Sequence, residues 1–153
     1  MAEKILATNR RARYDYQLID TYTAGLVLHG HEVKSLRAGN IDLKAAFVTI
    51  KDNAAWLTNA HIRRYQHAAG LTDYDPVRPR QLLLGRRELA NLQAAKQNKL
   101  TIVPLRVIAK GPFIKLVIAT ARGQKKYDKR AVKRAAEAKK TAAQAIKNHQ
   151  RRG

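Results

Sequence analysis

The sequence has no cysteine among its 153 residues, so it forms no disulfide and offers no thiolate ligand to a metal. Acidic residues are scarce, with 11 Asp and Glu against 31 Lys and Arg. The resulting net charge of +20 favours nucleic acid as the partner. No apolar run approaches the roughly 18 residues of a membrane span, and the N-terminus lacks the apolar core of a signal peptide. We therefore predict a cytoplasmic protein that needs no cofactor.

The last thirty residues, 124–153, contain eleven Lys or Arg against two acids, separated mostly by alanine. These residue types favour helix, but Val132 and Ile146 are the only large aliphatic side chains available for burial. We expect a barrel domain over residues 1–123 and a basic tail over residues 124–153 that is loose when free and becomes helical against RNA. An anionic membrane is the alternative partner, but the tail lacks the Trp, Phe and Leu that an interfacial helix buries.

Alternating and β-branched patterns predict five or six antiparallel strands in the first 123 residues. The N-terminal 13 residues read as irregular, and a long strand follows from Tyr14 with a bend at Ala24-Gly25. Two hairpins are predicted, 47–50 with 55–57 and 101–109 with 113–121, and Trp56 is assigned to the core. Helical spacing predicts a short helix at 32–38 and a longer one at 80–98. The combination is mainly β with helices and favours an OB-type antiparallel β-barrel.

Catalytic and metal motifs are poorly represented in this sequence. It has no Gly-x-Ser-x-Gly, no phosphate-binding glycine loop and no HExxH. Asp73 and Asp75 lie in a proline-containing loop and are interpreted as turn formers, and His29 and His31 as strand-end histidines rather than metal ligands. We therefore predict no metal site and no enzyme, with an RNA-modifying enzyme or nuclease kept as an alternative.

Basic residues cluster next to aromatic ones at two places, around Arg10, Arg11, Arg13 and Tyr14 and again at 125–130. Arginine contacts phosphates in bidentate fashion and tyrosine stacks on exposed bases, so both clusters favour RNA over a merely solvated basic surface. A structural ribosomal protein, which is also small, basic and tailed, remains an alternative.

Several blocks of the sequence closely resemble the SsrA-binding protein (small protein B) family of bacteria. The most specific are EVKSLRAG at 32–39 and DPVRPRQLLL at 75–84, with NRRAR at 9–13 and YDKR at 127–130 in the same order. The resemblance runs from residue 9 to about 134, while the last twenty residues match only in being basic and helix-prone.

The resemblance implies an OB-type barrel that acts as a non-catalytic adaptor in trans-translation. Such an adaptor binds the tRNA-like domain of transfer-messenger RNA (tmRNA) and is delivered with elongation factor Tu, through that RNA, to the A site of stalled ribosomes. Its tail enters the empty mRNA channel beside small-subunit rRNA and folds there as a helix. We also expect a monomer, since a charge of +20 opposes self-association.

The family's functional positions map onto this chain residue by residue. Those that imply tmRNA binding are Asn9, Arg10, Arg11, Arg13, Glu32, Lys34, Arg37, Leu83, Lys115 and Arg122. Those that imply contact with the decoding centre and mRNA channel are Tyr14, Lys125, Lys126, Tyr127, Asp128, Lys129, Arg130, Lys133 and Arg134. Glu32 has a second interpretation, in which it holds the binding loop through hydrogen bonds. Tyr14 and Thr23 depart from the family pattern, which usually has histidine and an acid there.

Overall fold

The computed structural model describes residues 3–66 and 74–123 and contains one large and one small antiparallel sheet. Their strands are β1 (Glu3–Thr8), β2 (Tyr16–Leu26), β3 (Ile41–Asp42), β4 (Phe47–Lys51), β5 (Ala54–Thr58), β6 (His61–Ile62), β7 (Arg80–Leu83), β8 (Thr101–Lys110) and β9 (Phe113–Gly123). The helices are α1 (Ala12–Asp15), α2 (Gly30–Arg37) and α3 (Arg86–Gln97). The predictions for residues 124–153, and for Asp73, lie outside the described residues.

The seven-stranded sheet has the order β1-β8-β9-β2-β7-β5-β4 and curves until β4 packs against β8. β3 and β6 pair separately. Large aliphatic side chains on the inner face form the main core, to which α2 contributes the fully buried Leu36 and α3 the fully buried Leu92. A mainly β, OB-like fold with helices, predicted from the sequence, is therefore confirmed.

The two predicted hairpins are present. β4 and β5 are joined by Asp52 and Asn53, whose φ angles of 53° and 57° fit the tight turn that matches the twist of a hairpin. β8 and β9 pair from Thr101–Ala121 to Lys110–Phe113. Two thirds of the residues of β8 and β9 are buried, because one face lines the core and the other joins a second apolar cluster with Ala12 of α1. These long strands are the frame on which the predicted site residues are placed.

The two longer helices begin with the same hydrogen bond, in which a glutamate of the first turn accepts from the backbone N–H of the N-cap residue. The carboxylate of Glu32 accepts the His29 N–H at 2.9 Å at the start of α2, and that of Glu88 accepts the Gly85 N–H at 3.1 Å at the start of α3. α2 ends before Gly39, whose φ of +82° suits glycine. The short helix predicted at 32–38 is confirmed, and it starts two residues earlier.

The helix predicted at 80–98 was wrong over its first six residues, because 80–83 form β7 and α3 begins at Arg86. Buried and more exposed side chains alternate from Arg80 to Leu83, and this segment fills the gap between β2 and β5. Pairing with two neighbouring strands outweighs the helical spacing of the leucines.

Four further predictions were wrong. Residues 3–8 form a strand rather than an irregular end, since they pair with the second half of β8. The described residues contain nine strands rather than five or six. The irregularity in β2 lies between Leu18 and Thr21 rather than at Ala24-Gly25. Trp56 is only half-buried, because it lies opposite Thr49 and outside the core, with its Nε1 donating to the Lys51 carbonyl at 3.4 Å.

Candidate nucleic-acid interface

The predicted RNA-binding residues lie at two ends of β9 instead of forming one patch. Lys115 pairs with Gly25 near the β8–β9 turn, whereas Arg122 pairs with Gln17 at the other end. Seven residues of extended chain separate them, which corresponds to about 23 Å. We call the first group, Glu32, Lys34, Arg37, Leu83 and Lys115, the hairpin end. We call the second group, Asn9, Arg10, Arg11, Arg13, Tyr14 and Arg122, the α1 end.

At the hairpin end, α2 is tied to the turn between β8 and β9. The Arg37 Nη2 donates to the Gly111 carbonyl at 3.1 Å. Leu83 and Lys115 line one open groove together with Val33 of α2 and Phe113 at the start of β9. The structure thus brings a cation from a helix, a cation from a strand and an apolar wall to one surface.

Lys34 and Leu83 offer two different kinds of contact on this surface. The Lys34 Nζ lies 5.8 Å from the centroid of the Tyr65 ring, a cation–π distance that leaves the side chain exposed. Leu83 is 56% exposed, although it belongs to a strand. A Cβ on Gly25 would come within 3.3 Å of the Leu83 Cβ, so glycine at that position gives Leu83 its room.

Glu32, by contrast, lies beneath the surface and is fully buried. It forms ion pairs with Arg78 and with Arg80, whose Nη2 lies 2.7 Å from the Glu32 Oε2. Burial by itself raises the pKa of Glu32, but the His29 N–H and the two guanidinium groups outweigh it and hold the pKa below its ordinary value. This position fits the interpretation in which Glu32 holds the binding loop.

Arg80 is the hub of that network and is also fully buried. Besides Glu32, its guanidinium donates to the Ala60 carbonyl at 2.8 Å, the Pro76 carbonyl at 3.0 Å and the Tyr74 hydroxyl at 3.1 Å. Burial raises the pKa of Tyr74, which keeps its hydroxyl protonated as a donor to the Ile62 carbonyl at 2.8 Å. The network therefore fixes α2 against β6, β7 and the 74–79 loop.

Sequence reasoning placed Arg78 and Arg80 within a motif but gave them no role. The sequence signal for a structural role was the pair of arginines that flank Pro79, immediately where strand β7 begins. Because a buried guanidinium requires an acid partner, the scarce acids of the chain were the place to look for one. Glu32 was the acid already singled out.

At the α1 end, Asn9 works mainly as an anchor. Its backbone N–H donates to the Leu105 carbonyl at 2.7 Å and its Nδ2 to the Pro104 carbonyl at 3.0 Å. These bonds pin the chain against β8, and Ala12 is buried beside it. Three arginines and one tyrosine next to these anchors point outward: Arg10, Arg11, Arg13 and Tyr14.

Arg122 joins the α1 end because β9 finishes beside the start of β2, where Tyr16 pairs with Gly123. Its side chain is exposed. The tail begins at the next residue but one, directly after this end of β9. The predicted channel residues of the tail, 125–134, lie outside the described ranges.

His29 and His31 stack with ring centroids 5.7 Å apart, and His31 also meets the Tyr74 ring edge-on at 4.9 Å. Over residues 3–66 and 74–123, no three His, Asp or Glu side chains are grouped closely enough to hold a metal ion. Within the same ranges, no helix has the length and apolar character to span a membrane.

The fold and the two cationic ends define a small β-barrel with surfaces suited to a polyanion such as RNA. A family model described as SmpB protein matches residues 6–148. The SsrA-binding protein of Trichodesmium erythraeum is 42% identical over 148 residues, 96% of this chain and 95% of its own length. That of Shouchella clausii is 43% identical over 149 residues, 97% and 95% of the two chains. The chain belongs to the SmpB family of SsrA-binding proteins.

A solved structure agrees with this assignment. A chain from "tmRNA-SmpB: a journey to the center of the bacterial ribosome" is 40% identical, with a TM-score of 0.65. The match covers 78% of this chain and 85% of that one.

Proposed function

We propose that this chain is the RNA-binding adaptor of ribosome rescue. It binds the tRNA-like domain of tmRNA and delivers it to the A site of ribosomes stalled on messages without a stop codon. The observation that carries the proposal is its membership of the SmpB family over residues 6–148. Two separate cationic ends, in a chain of net charge +20, support a protein that touches two RNA surfaces at once.

In this proposal the hairpin end binds tmRNA through Lys34, Arg37 and Lys115, with Leu83 acting through its shape. Glu32, which is buried beneath this surface, contributes by fixing the position of α2 through its ion pairs with Arg78 and Arg80. The arginines of the α1 end and Arg122 extend the same RNA contact, while Tyr14 faces the decoding centre. Residues 1–123 act as the barrel domain, and residues 124–153 act as a tail that enters the empty mRNA channel. The tail residues that contact the decoding centre and the channel are Lys125, Lys126, Tyr127, Asp128, Lys129, Arg130, Lys133 and Arg134.

The adaptor is cytoplasmic and monomeric, meets elongation factor Tu only through tmRNA, and catalyses no reaction itself. A reconstituted system with stalled ribosomes, charged tmRNA and elongation factor Tu tests this function. Adding the protein should start tagging of the stalled chain, and the amount of tag should rise with protein up to one copy per stalled ribosome. Tagging that proceeds equally well without the protein would overturn the proposal.

A further inference from the structure

A cleft of about 250 Å³ lies where the curved sheet meets itself, between the start of β4 and the first half of β8. Helix α1 covers one side of it. Its lining includes three buried apolar residues, Ala12, Ala46 and Val103. β8 pairs with β1 through residues 106–110, whereas Thr101 and Val103 at its start line the cleft. We call this junction between β4 and β8 the seam.

Aromatic and cationic side chains also line the cleft. Phe47 is 39% exposed, and Tyr16 is half-buried. Arg11 and Lys44 are both exposed, and Asp15 is the one acid among the lining residues. An apolar lining with an aromatic ring suits a planar base, and the two cations suit the phosphates on either side of it.

A second cleft of about 310 Å³ continues from the first and shares Asn9, Arg11 and Lys44 with it. Arg10 lines the second cleft together with Asp42, so the combined groove has three cations and two acids along its walls. The first cleft is smaller than the roughly 300–1,000 Å³ of typical small-molecule sites. Its size fits one base better than a whole metabolite, and the groove beyond it fits a phosphate backbone.

We propose that this seam cleft holds one unstacked nucleotide of an RNA strand, with the base on Phe47 and its phosphates on Arg11 and Lys44. The proposal rests on the proposed function and deepens it, because it adds Lys44 and Phe47 to the RNA-binding residues. The RNA is either tmRNA or small-subunit rRNA, which share this chemistry, and the two are separated by experiment.

Crosslinking from the cleft tests the geometry directly. The full-length variant Phe47→p-azidophenylalanine is irradiated with tmRNA in one arm and with isolated small ribosomal subunits in the other. We expect a crosslink to a single-stranded nucleotide in one arm. The same photoreactive group at Ile5, which is 60% exposed on β1, serves as the control and should give little RNA product. A product from Phe47 with ribosomal protein alone, or with no RNA in either arm, would overturn the proposal.

Affinity for the crosslinked RNA gives a second readout. Phe47→Ala should weaken binding about 5- to 150-fold, the effect of losing one base–aromatic stack. Phe47→Tyr keeps the ring and should bind like the wild type. Lys44→Ala should lower the log–log salt slope by about 0.7 to 0.9, the effect of one phosphate contact. Lys51→Ala, at the far end of the strand that begins with Phe47, is the matched control.

These outcomes separate this inference from the proposed function. Preference of the wild type for tmRNA, with no effect of Phe47→Ala or Lys44→Ala on binding of the crosslinked RNA, would overturn the seam cleft and leave the adaptor function standing. Absence of tmRNA preference in the wild type would instead defeat the proposed function. Unfolding curves of both variants in urea must match the wild type, so that weaker binding reports the cleft and not the fold.

Discussion

Replacing Glu32 with glutamine tests whether this residue supports the fold or contacts RNA. The side chain is fully buried, and its carboxylate accepts bonds from His29, Arg78 and Arg80. Glutamine has the same size but no charge, and it places an NH₂ donor against guanidinium donors. Breaking a buried ion pair by removing one partner costs about 3–5 kcal/mol. We expect Glu32→Gln to lower the free energy of unfolding by about 3 kcal/mol, out of a typical total of about 5–15 kcal/mol for a folded protein.

Urea unfolding followed by the fluorescence of the single tryptophan, Trp56, measures this loss. Lys34→Ala is the matched control, since it lies two residues further along α2 with an exposed side chain. It should change the free energy of unfolding by no more than about 0.5 kcal/mol while weakening tmRNA binding. Folded Glu32→Gln should still bind tmRNA. A variant with wild-type stability and lost tmRNA binding would refute the reasoning, because it would place Glu32 in direct contact with the RNA.

We expect four further outcomes, three from the geometry of the described residues and one from the resemblance of the tail to the family. The lowered pKa of Glu32 means that its ion pairs stabilise the fold fully above its ordinary value of 4.5 and lose this effect as the pH falls through the folded value. The urea midpoint of the wild type should therefore fall more steeply with acid than that of Glu32→Gln, and parallel curves would contradict this. Gly25→Ala should lower the free energy of unfolding by about 1 kcal/mol and weaken tmRNA binding, because the new methyl group displaces Leu83. Gly30→Ala, with open space around it, should change neither stability nor tmRNA binding. Alanine at all three hairpin-end cations should lower the salt slope of tmRNA binding by about 0.7 to 0.9 for each phosphate that the variant no longer neutralises, and an unchanged slope removes them from the interface. Alanine at Asp128, Lys129 and Arg130 should spare tmRNA binding and abolish tagging, and equal loss of both would show that the tail is no separable module.

The strands of this fold could be predicted where local pattern and tertiary pairing agree. The β4–β5 hairpin carries its own turn signal in Asp52-Asn53, and β8 and β9 are long β-branched runs around Gly111-Pro112. Residues 80–83 could not be assigned from their own sequence, because their leucines satisfy helical spacing and only the neighbours β2 and β5 make them a strand. β1 was missed for the same reason, as its pairing partner lies about a hundred residues away.

The candidate site was predictable as a set of residues but not as an arrangement. Charge and resemblance pointed to Lys34, Arg37 and the arginines near residue 10, yet no sequence signal showed that β9 holds the two groups apart. The role of Glu32 could not be predicted from the sequence either. A charged residue in a motif has the same sequence signal whether it contacts RNA or pairs with a buried arginine. The ion pairs with Arg78 and Arg80, which the sequence does not show, favour the second role.

The most direct test of the adaptor function is a titration of the full-length protein with tmRNA and, in parallel, with an ordinary alanine tRNA at two salt concentrations. Specific recognition predicts a preference for tmRNA that persists at the higher salt, because shape contacts such as that of Leu83 are not screened. Equal binding to both RNAs with a steep salt dependence would contradict the account. It would show that charge alone drives binding, and a structural ribosomal protein would then explain the basic barrel better.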